Sequence, residues 1–595
     1  MRSSGFAMER MNHMTIIDSS SLISIDNHFK VSAGPGAGKT FWLTNHIKNV
    51  LKNSKRLGKT GKIACITYTN TAVEEIQTSL RGASGNRIFI GTIHSFLYAN
   101  IVKPYSFLIK DNQGDNLLNL KKLDGHDEHM PNRSFIRSWI GNVREGKYRY
   151  LEYYDKNSDF INYLKKYDWI LDDNKEIQIG LRQQDRWFQI ENKFPLFDNK
   201  EMIDYKKRYW NIGQLHHEDV LYFSYRILTE HPKVINYLSA KYPYLFIDEF
   251  QDTNPIQTEI VQMLARKKTL VGVIGDSLQS IYGFQGAKRM DFENFTLPNI
   301  ESLTILNNRR STNNIVKFLN EFHGGSIEQE GIREVEGSKI ILLIGDKLKA
   351  IEHVRGIDCQ AAILARRNET VSQLINCSND DLSGLWDELR AFDSNSERQN
   401  FLYSTIIAVE LLKEQNYIDS LRIISNLIKP KNNNVKFTRK QKRFYSIQLL
   451  EYLQRHWKTL QKKNLVEYNN EMRTYIDDNF NISKPTASIT KRGKVHDLAS
   501  TISVTDCVQA LRLHNEKRLI KTIHKAKGAE YDSVLVVMEK EDLKYLYQPK
   551  INSAMDHTRV FYVGFSRARD NLYINIPELD EAAFPLTQKC NKIYV

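Results

Sequence analysis

Cysteine is scarce in this chain, five among 595 residues, and Cys65, Cys359, Cys377, Cys507 and Cys590 are scattered without a C-x-x-C pair or a histidine cluster at ligand spacing. Neither a disulfide framework nor a structural zinc site is therefore expected. The adjacent pair His216-His217 does not alter this, because neighbouring residues on a helix face different ways. No run approaches the ~20 apolar residues that span a bilayer. The opening stretch MRSSGFAMERMNHMTIIDSSS lacks the apolar segment of a signal peptide. A cytoplasmic protein with no membrane partner is expected, and no internal repeat or low-complexity tract is evident.

What the sequence has is an ordinary globular composition, 41% hydrophobic and 26% charged, on a chain long enough for several domains. A net charge of +14 points to a polyanion as partner, nucleic acid before anionic membrane. Short β-branched runs recur and end in polar residues: KIACITYT (62–69), RIFIGTIHS (87–95), YLFIDEF (244–250), TLVGVIGD (269–276), KIILLIG (339–345), QAAILARR (360–367), SVLVVM (533–538) and NLYINI (571–576). Such runs, alternating with helical patterns, describe parallel sheets covered by helices, an α/β architecture. Between about 97 and 235 and between about 372 and 512 the strand signal gives way to aromatic, lysine-rich, helix-like sequence. These are read as two mostly helical insertions into two α/β cores. The second insertion carries basic clusters around Lys429-Pro430-Lys431, Arg439 to Arg443 and Lys491 to Lys494, which suit either a solvated face or a nucleic-acid contact.

The stretch VSAGPGAGKTFWLTNHI, Val31 to Ile47, matches G-x-x-x-x-G-K-[ST] with Ala33 in place of the first glycine. A strand ending near Ser32 and a helix starting near Phe41 place Gly34, Pro35, Gly36, Ala37 and Gly38 where backbone N–H groups converge on phosphate. Lys39 is then expected to reach the β- and γ-phosphates, and Thr40 to ligate Mg²⁺. In LFIDEFQDTNPIQ (245–257) a strand delivers Asp248 to the metal and Glu249 as a base for an attacking water, which favours hydrolysis over transfer. In VIGDSLQSIYGFQGA (273–287) Gln279 is suited to sense γ-phosphate and water, with Tyr282 and Phe284 offering aromatic faces close by in sequence.

With these blocks in hand, the chain resembles the superfamily 1 DNA helicases of the UvrD/Rep/PcrA type. AGPGAGKT, ITYTNTAVEEI (66–76), GTIHSF (91–96), IDEFQDTNPIQ (247–257), GDSLQSIYGFQGA (275–287), NNRRSTNNI (307–315), AAILARRN (361–368), TIHKAKGAEYDSVLVV (522–537) and FYVGFSRARDNLYI (561–574) occur in family order. The resemblance implies two RecA-like motor domains, each with an accessory insertion, ATP and Mg²⁺ in the cleft, and single-stranded or tailed duplex DNA as partner. The corresponding division is 1–96 and 236–298 for the first motor with 97–235 inserted, and 299–371 and 513–595 for the second with 372–512 inserted. It further implies Arg310 and Arg567 as arginines aimed at the γ-phosphate, Glu530 at the ribose and Gly528 at close approach to phosphate. For DNA it implies Tyr68, Asn70, Thr92, His94, Phe284, Thr522 and His524, and movement 3′ to 5′.

Departures from the family pattern bear on base preference and coupling. No glutamine occurs in residues 1–40, where the family reads adenine, and Arg309 stands where an aromatic residue stacks on the base. Phe284 and Gln285 stand where tryptophan and arginine are common. The insertions are short and little chain follows Ile576, so no nuclease domain is expected within the chain. Two readings remain: an autonomous 3′–5′ helicase or translocase, and a DNA-activated NTPase subunit beside an OLD-type nuclease, as in antiphage systems of the Gabija type. A small-molecule kinase fails on Asp248-Glu249, Gln279 and the two arginines.

Overall fold

A computed structural model describes residues 15–80, 85–111, 113–123, 125–127, 129, 131–142, 158–181, 197–283, 286, 289–323, 328–376, 385–393, 395–413, 416–431, 437–549, 551, 556–581 and 589–595. The chain divides into two compact units, residues 1–350 with 523–595, and residues 351–522.

In the first unit the strands are, in chain order, β1 (Thr15–Ile17), β2 (Phe29–Ala33), β3 (Ile63–Thr67), β4 (Ile88–Thr92), β5 (Tyr167–Leu171), β6 (Ile177–Leu181), β7 (Tyr244–Ile247), β8 (Leu270–Gly275), β9 (Glu301–Ile305), β10 (Asn307–Asn308), β11 (Glu330–Gly331) and β12 (Ile340–Ile344). Seven of them form one sheet in the order β1-β9-β2-β8-β7-β3-β4, parallel throughout. Its central strands are buried on both faces, as their unbroken Val/Ile/Phe runs require. The strand order jumps between neighbours, so the loops leaving β2, β7 and β8 emerge at one edge, the usual place for a ligand in an open α/β sheet.

The second unit, residues 351–522, contains β13 (Ala362–Ala365) and β14 (Ile520–Thr522), paired in parallel. It also holds the helices Ser396–Lys413, Tyr417–Leu427, Arg439–Leu460 and Leu465–Asn479, gathered on a core of Phe401, Leu449, Tyr468 and Met472. Lys429, Lys431, Lys440, Arg443, Lys491, Arg492 and Lys494 are exposed there, as a solvated face requires. The chain then returns to the first unit with β15 (Tyr531–Val537), β16 (Ala568–Ile576) and β17 (Cys590–Tyr594), which continue as β15-β16-β12-β17, all parallel. Among the described residues no helix is long and apolar enough to cross a membrane.

The segment between β4 and β7 is mostly helical, with one feature that hydrophobic spacing does not announce, the antiparallel hairpin β5–β6. It packs on a buried polar knot. Lys206, fully buried, lies 2.6 Å from Glu218 and 3.1 Å from Asp219, and the indole N–H groups of Trp169 and Trp210 each donate to Asp219 at 3.1 Å. His129, His216 and Glu218 place ligand atoms within 4.8 Å of one another. The Lys206 ammonium stands 3.3 Å from His216 Nδ1, so a lysine supplies the positive charge at this spot. His216 faces this knot while His217 faces His94, the first in extended backbone just before the helix and the second in the helix's first turn. Replacing Asp219 by alanine leaves Lys206 with Glu218 alone and strands two indole donors, and a loss of about 2–5 kcal/mol is expected. Urea unfolding followed by tryptophan fluorescence should show a clearly lowered first midpoint; an unchanged midpoint would refute the role given to the knot.

Candidate functional site

The loop Gly34 to Gly38 joins β2 to the helix α1 (Lys39–Asn53) and turns through two left-handed glycines, Gly36 at φ +70° and Gly38 at φ +79°. A Cβ on Gly36 would lie 2.6 Å from Asn308 Oδ1 and 2.7 Å from Arg310 Cβ, so glycine is demanded twice over, by φ and by contact. The loop is gripped from the β9–β11 side: Asn308 and Gln329 both donate side-chain N–H to the Pro35 carbonyl, at 3.0 and 3.1 Å, and the Arg309 N–H donates to Gly36 O at 2.8 Å. Thr40 follows Lys39 in the first turn of α1.

Lys39 Nζ sits 3.1 Å from Glu249 Oε1. Burial alone would lower the lysine pKa, but Glu249, Asp276 and Asp248 together hold it above its ordinary value. Asp248 closes β7, with its N–H on Ile66 O, and its Oδ1 accepts from the Glu249 N–H at 2.9 Å. Glu249 itself occupies left-handed backbone, φ +54°. For a residue other than glycine that conformation costs about 1–3 kcal/mol and persists where the surroundings impose it. Burial pushes the carboxyl of Glu249 up, yet Lys39 and then Lys527 outweigh it and hold the group well below the usual carboxylate range. Asp248 moves the other way, raised by burial and then by the Glu249 charge.

Gln279 follows β8. It donates to Asp276 Oδ2 at 2.6 Å and accepts at Oε1 from Arg567 Nη2 at 2.9 Å. Arg567 is buried, and burial followed by the Arg310 charge brings its pKa down to about 9. Arg310 donates to Glu530 Oε1 at 2.6 Å and to Ser566 O at 3.0 Å, while its buried Nε has no hydrogen-bond partner among the described residues. Gly528 is left-handed at φ +85°, with open space where a Cβ would stand. The loop's Lys39, the two carboxylates, Gln279, both arginines and Glu530 are thus joined by a run of hydrogen bonds and ion pairs that passes through Gln251, Asp276 and Ser566, with Arg309 on the loop's flank. The arrangement can hold a polyphosphate against α1, position a water beside a buried carboxylate, and present two fixed guanidinium groups.

The residues implied for DNA are less uniformly gathered. Tyr68 stacks on Tyr282 at 5.0 Å and 25°, and the Tyr282 hydroxyl donates to His524 O at 3.3 Å. Thr92 uses its hydroxyl to cap the short helix Ile93–Leu97, accepting from Ser95 N–H. His94 lies 5.5 Å from His217 and 6.3 Å from His126, and burial, reinforced by those two rings, lowers its pKa to about 3. Asn70 opens the helix Asn70–Ser79, its side chain outside the described residues, as is the whole of Phe284. Thr522 ends β14 in the second unit.

Sequence reasoning passed over Lys527, which donates to Asp252 at 2.5 Å and to the Gln279 carbonyl at 2.6 Å, with its ammonium 4.9 Å from the Tyr282 ring centroid. Its place three residues after His524 was the available signal. Gln329 was missed too, and no spacing or motif marks it.

Comparison with known proteins fits this geometry. Residues 17–298 match the UvrD/REP helicase N-terminal domain family, and residues 438–575 match the viral superfamily 1 RNA helicase core domain. The chain is 23% identical over 590 residues to the Gabija protein GajB of Bacillus cereus (strain HuB5-5), covering 85% of this chain and 84% of that protein. It is 26% identical over 325 residues to DNA helicase II of Haemophilus influenzae, and 26% over 308 residues to the ATP-dependent DNA helicase PcrA of Bacillus subtilis (strain 168). The latter two matches span 40% and 37% of those relatives' lengths, and 52% and 50% of this chain. The chain is thus similar to the UvrD-like helicases of superfamily 1A, by family model over residues 17–298 and by likeness to GajB over most of its length.

A Cβ at Gly36 must push the loop off Asn308 and Arg310. Gly36→Ala is therefore expected to weaken nucleotide binding at least about tenfold, ~1.4 kcal/mol, in a fluorescence titration. Gly58→Ala, also at positive φ (+50°) but with nothing within 4 Å, is the control and should bind normally. Equal binding by both variants would contradict the tight loop.

Proposed function

We propose that the chain is an NTP-driven motor that moves 3′ to 5′ on single-stranded DNA and unwinds tailed duplex. The observation that carries this reading is the chain of contacts that runs from Lys39 to Glu249, through Gln251 and Asp276 to Gln279, and from Gln279 to Arg567 on one side and through Lys527 to the tyrosine pair on the other. Arg310 joins it where both arginines donate to Ser566.

ATP would lie with its phosphates on Gly34 to Gly38, drawing Lys39 from Glu249 to the β/γ-phosphates. Freed of its lysine, Glu249 becomes the acceptor for the proton of an attacking water, which Gln279 Oε1 orients. Arg310 and Arg567 stabilise the charge spread over the transferred phosphoryl, leaving Glu530 to the ribose. Thr40 and Asp248 suit a divalent cation: the buried Asp248 carboxyl, raised by its charged neighbour, is the group such an ion relieves. Bound Mg²⁺ would neutralise phosphate charge.

DNA enters this reading through Tyr68 and Tyr282. Bases stacking on aromatic faces contribute roughly 1–3 kcal/mol each without reading sequence. Lys527 touches both the Gln279 carbonyl and the Tyr282 ring, so a base that parts the tyrosines shifts the loop that carries the sensor. The extent of the likeness to the Gabija protein GajB favours a second setting for the same chemistry, a DNA-activated NTPase subunit working beside an OLD-type nuclease in antiphage defence. Unwinding by the lone chain separates the two settings.

Arg567→Ala should bind nucleotide while its turnover falls by about 10³-fold or more, the scale of an arginine finger. DNA-stimulated hydrolysis by the native chain should decline as salt rises, because phosphate contacts release counterions. It should be supported by a 3′-tailed duplex and poorly by a blunt one. A preference for 5′ tails, or an Arg567→Ala variant with native turnover, would overturn the proposal.

A further inference from the structure

The second unit holds a cavity of about 180 Å³ that has no part in the steps above. Three helices supply its walls: Leu385–Phe392 brings Trp386, Ser396–Lys413 brings Tyr403, and Lys494–Thr501 brings Val495 and Leu498. Trp386 and Tyr403 meet edge to face, their ring centroids 5.1 Å apart. The exposed residues Ser396 and Asn400 give the lining a polar edge. Arg398 ties the walls together. Its Nε and Nη2 donate to the two carboxylate oxygens of Asp393 at 2.7 and 2.6 Å, and its Nη1 donates to the Ser488 carbonyl at 2.7 Å.

Trp386 is buried, and its indole N–H has no hydrogen-bond partner among the described residues. The buried indoles of Trp42, Trp139, Trp169 and Trp210 all donate to an acceptor, at 2.9–3.1 Å. A buried donor left unpaired is costly, and a buried tryptophan usually finds a partner. Trp457 shares the lack but does not line the cavity. A space of about 150 Å³ takes a benzene ring, so this one suits a single planar ring system. A purely apolar ring would leave the indole donor and the polar edge unanswered. The fitting occupant has apolar faces and acceptors on its rim, as a nucleobase has. Ile489 and Val495 both line the cavity, and the turn between them carries Lys491, Arg492 and Lys494, all exposed and none ion-paired among the described residues. That turn is held by the Thr490 hydroxyl on Arg492 O and the Asp497 N–H on Gly493 O, each at 3.0 Å. Three unpaired cations at the margin of a ring-sized cavity draw an anion to it. A nucleoside phosphate meets both requirements.

We infer that this cavity is a second nucleotide site, with the base inside it accepting from the Trp386 indole and the phosphate resting on Lys491, Arg492 and Lys494. Every nucleobase carries an acceptor on its edge, so the site takes the class and not one base. The chemistry is the same for a free nucleotide and for one splayed out of a single strand. The site stands apart from the phosphate loop and depends on none of the steps proposed there.

The test is calorimetric titration of AMP, ribose 5-phosphate and adenosine into the full Lys39→Ala chain, whose phosphate loop is disabled. AMP should bind at one site per chain, and ribose 5-phosphate and adenosine at least about tenfold more weakly, since each lacks one of the two groups the site holds. Trp386→Phe keeps a ring and loses the donor, and should weaken AMP about tenfold. The triple variant Lys491→Ala, Arg492→Ala, Lys494→Ala changes only an exposed turn; it should weaken AMP by a similar factor and remove the salt dependence of its binding. Displacement of AMP by a ten-residue oligothymidylate assigns the site to a strand-borne nucleotide, and no displacement assigns it to a free one; either supports the cavity as a nucleotide site. Absence of AMP binding, ribose 5-phosphate binding as well as AMP, or native affinity in both the Trp386→Phe and the triple variants overturns the inference and leaves the phosphate-loop reading untouched.

Discussion

The half-buried ion pair between Lys39 and Glu249 is the constraint on which the rest of the site depends. A lysine and a carboxylate at 3.1 Å satisfy each other, and the pair holds Glu249 in left-handed backbone where an unsupported glutamate would not rest. On the proposed reading the same contact would keep the base occupied while no phosphate competes for the lysine. A polyphosphate carries more charge than one carboxylate and meets the loop's N–H groups as well. On the proposed reading its arrival would exchange one partner for another and release a carboxylate in a half-buried place, where its charge counts for more than in open water. The chemistry and the trigger for the chemistry would then be one event.

Around that pair the site is tied from several directions. Asn308, Arg309 and Gln329 fasten the loop through Pro35 and Gly36, Arg567 fastens Gln279, and Lys527 fastens the chain after Gln279 to Asp252 and Tyr282. Each tie is short and polar, so a shift of one member is transmitted as a broken or remade hydrogen bond. This is the physical basis for linking the phosphate end of the site to the Tyr68–Tyr282 stack. Arg310 and Glu530 hold one another at 2.6 Å, and on the proposed reading parting them would turn one toward phosphate and the other toward sugar.

Much of this was legible in the sequence wherever a residue's role is set by its immediate neighbours along the chain. The glycines of the loop, Lys39, and the Asp248-Glu249 pair at a strand end are local features, and continuous Val/Ile runs marked the strands β3, β4, β7, β8, β12, β13, β15 and β16. The edge strands β1 and β17 and the hairpin β5–β6 were not marked, because half-exposed strands alternate weakly and Thr15–Ile17 is three residues long. Contacts across hundreds of residues were also illegible: Gln329 on Pro35 and Lys527 on Asp252. Such partners depend on the sheet order, which spacing in the chain does not encode. The three-histidine group of His94, His126 and His217 belongs to the same kind, brought together by the fold from segments far apart.

The exchange of Lys39 between carboxylate and phosphate is tested most directly by the nucleotide affinity of Glu249→Gln, measured beside its turnover. Removing the carboxylate's charge frees the lysine in advance, so the account predicts that this variant binds ATP more tightly than the native chain while hydrolysis is abolished. Binding weaker than native, or hydrolysis that persists, would contradict it.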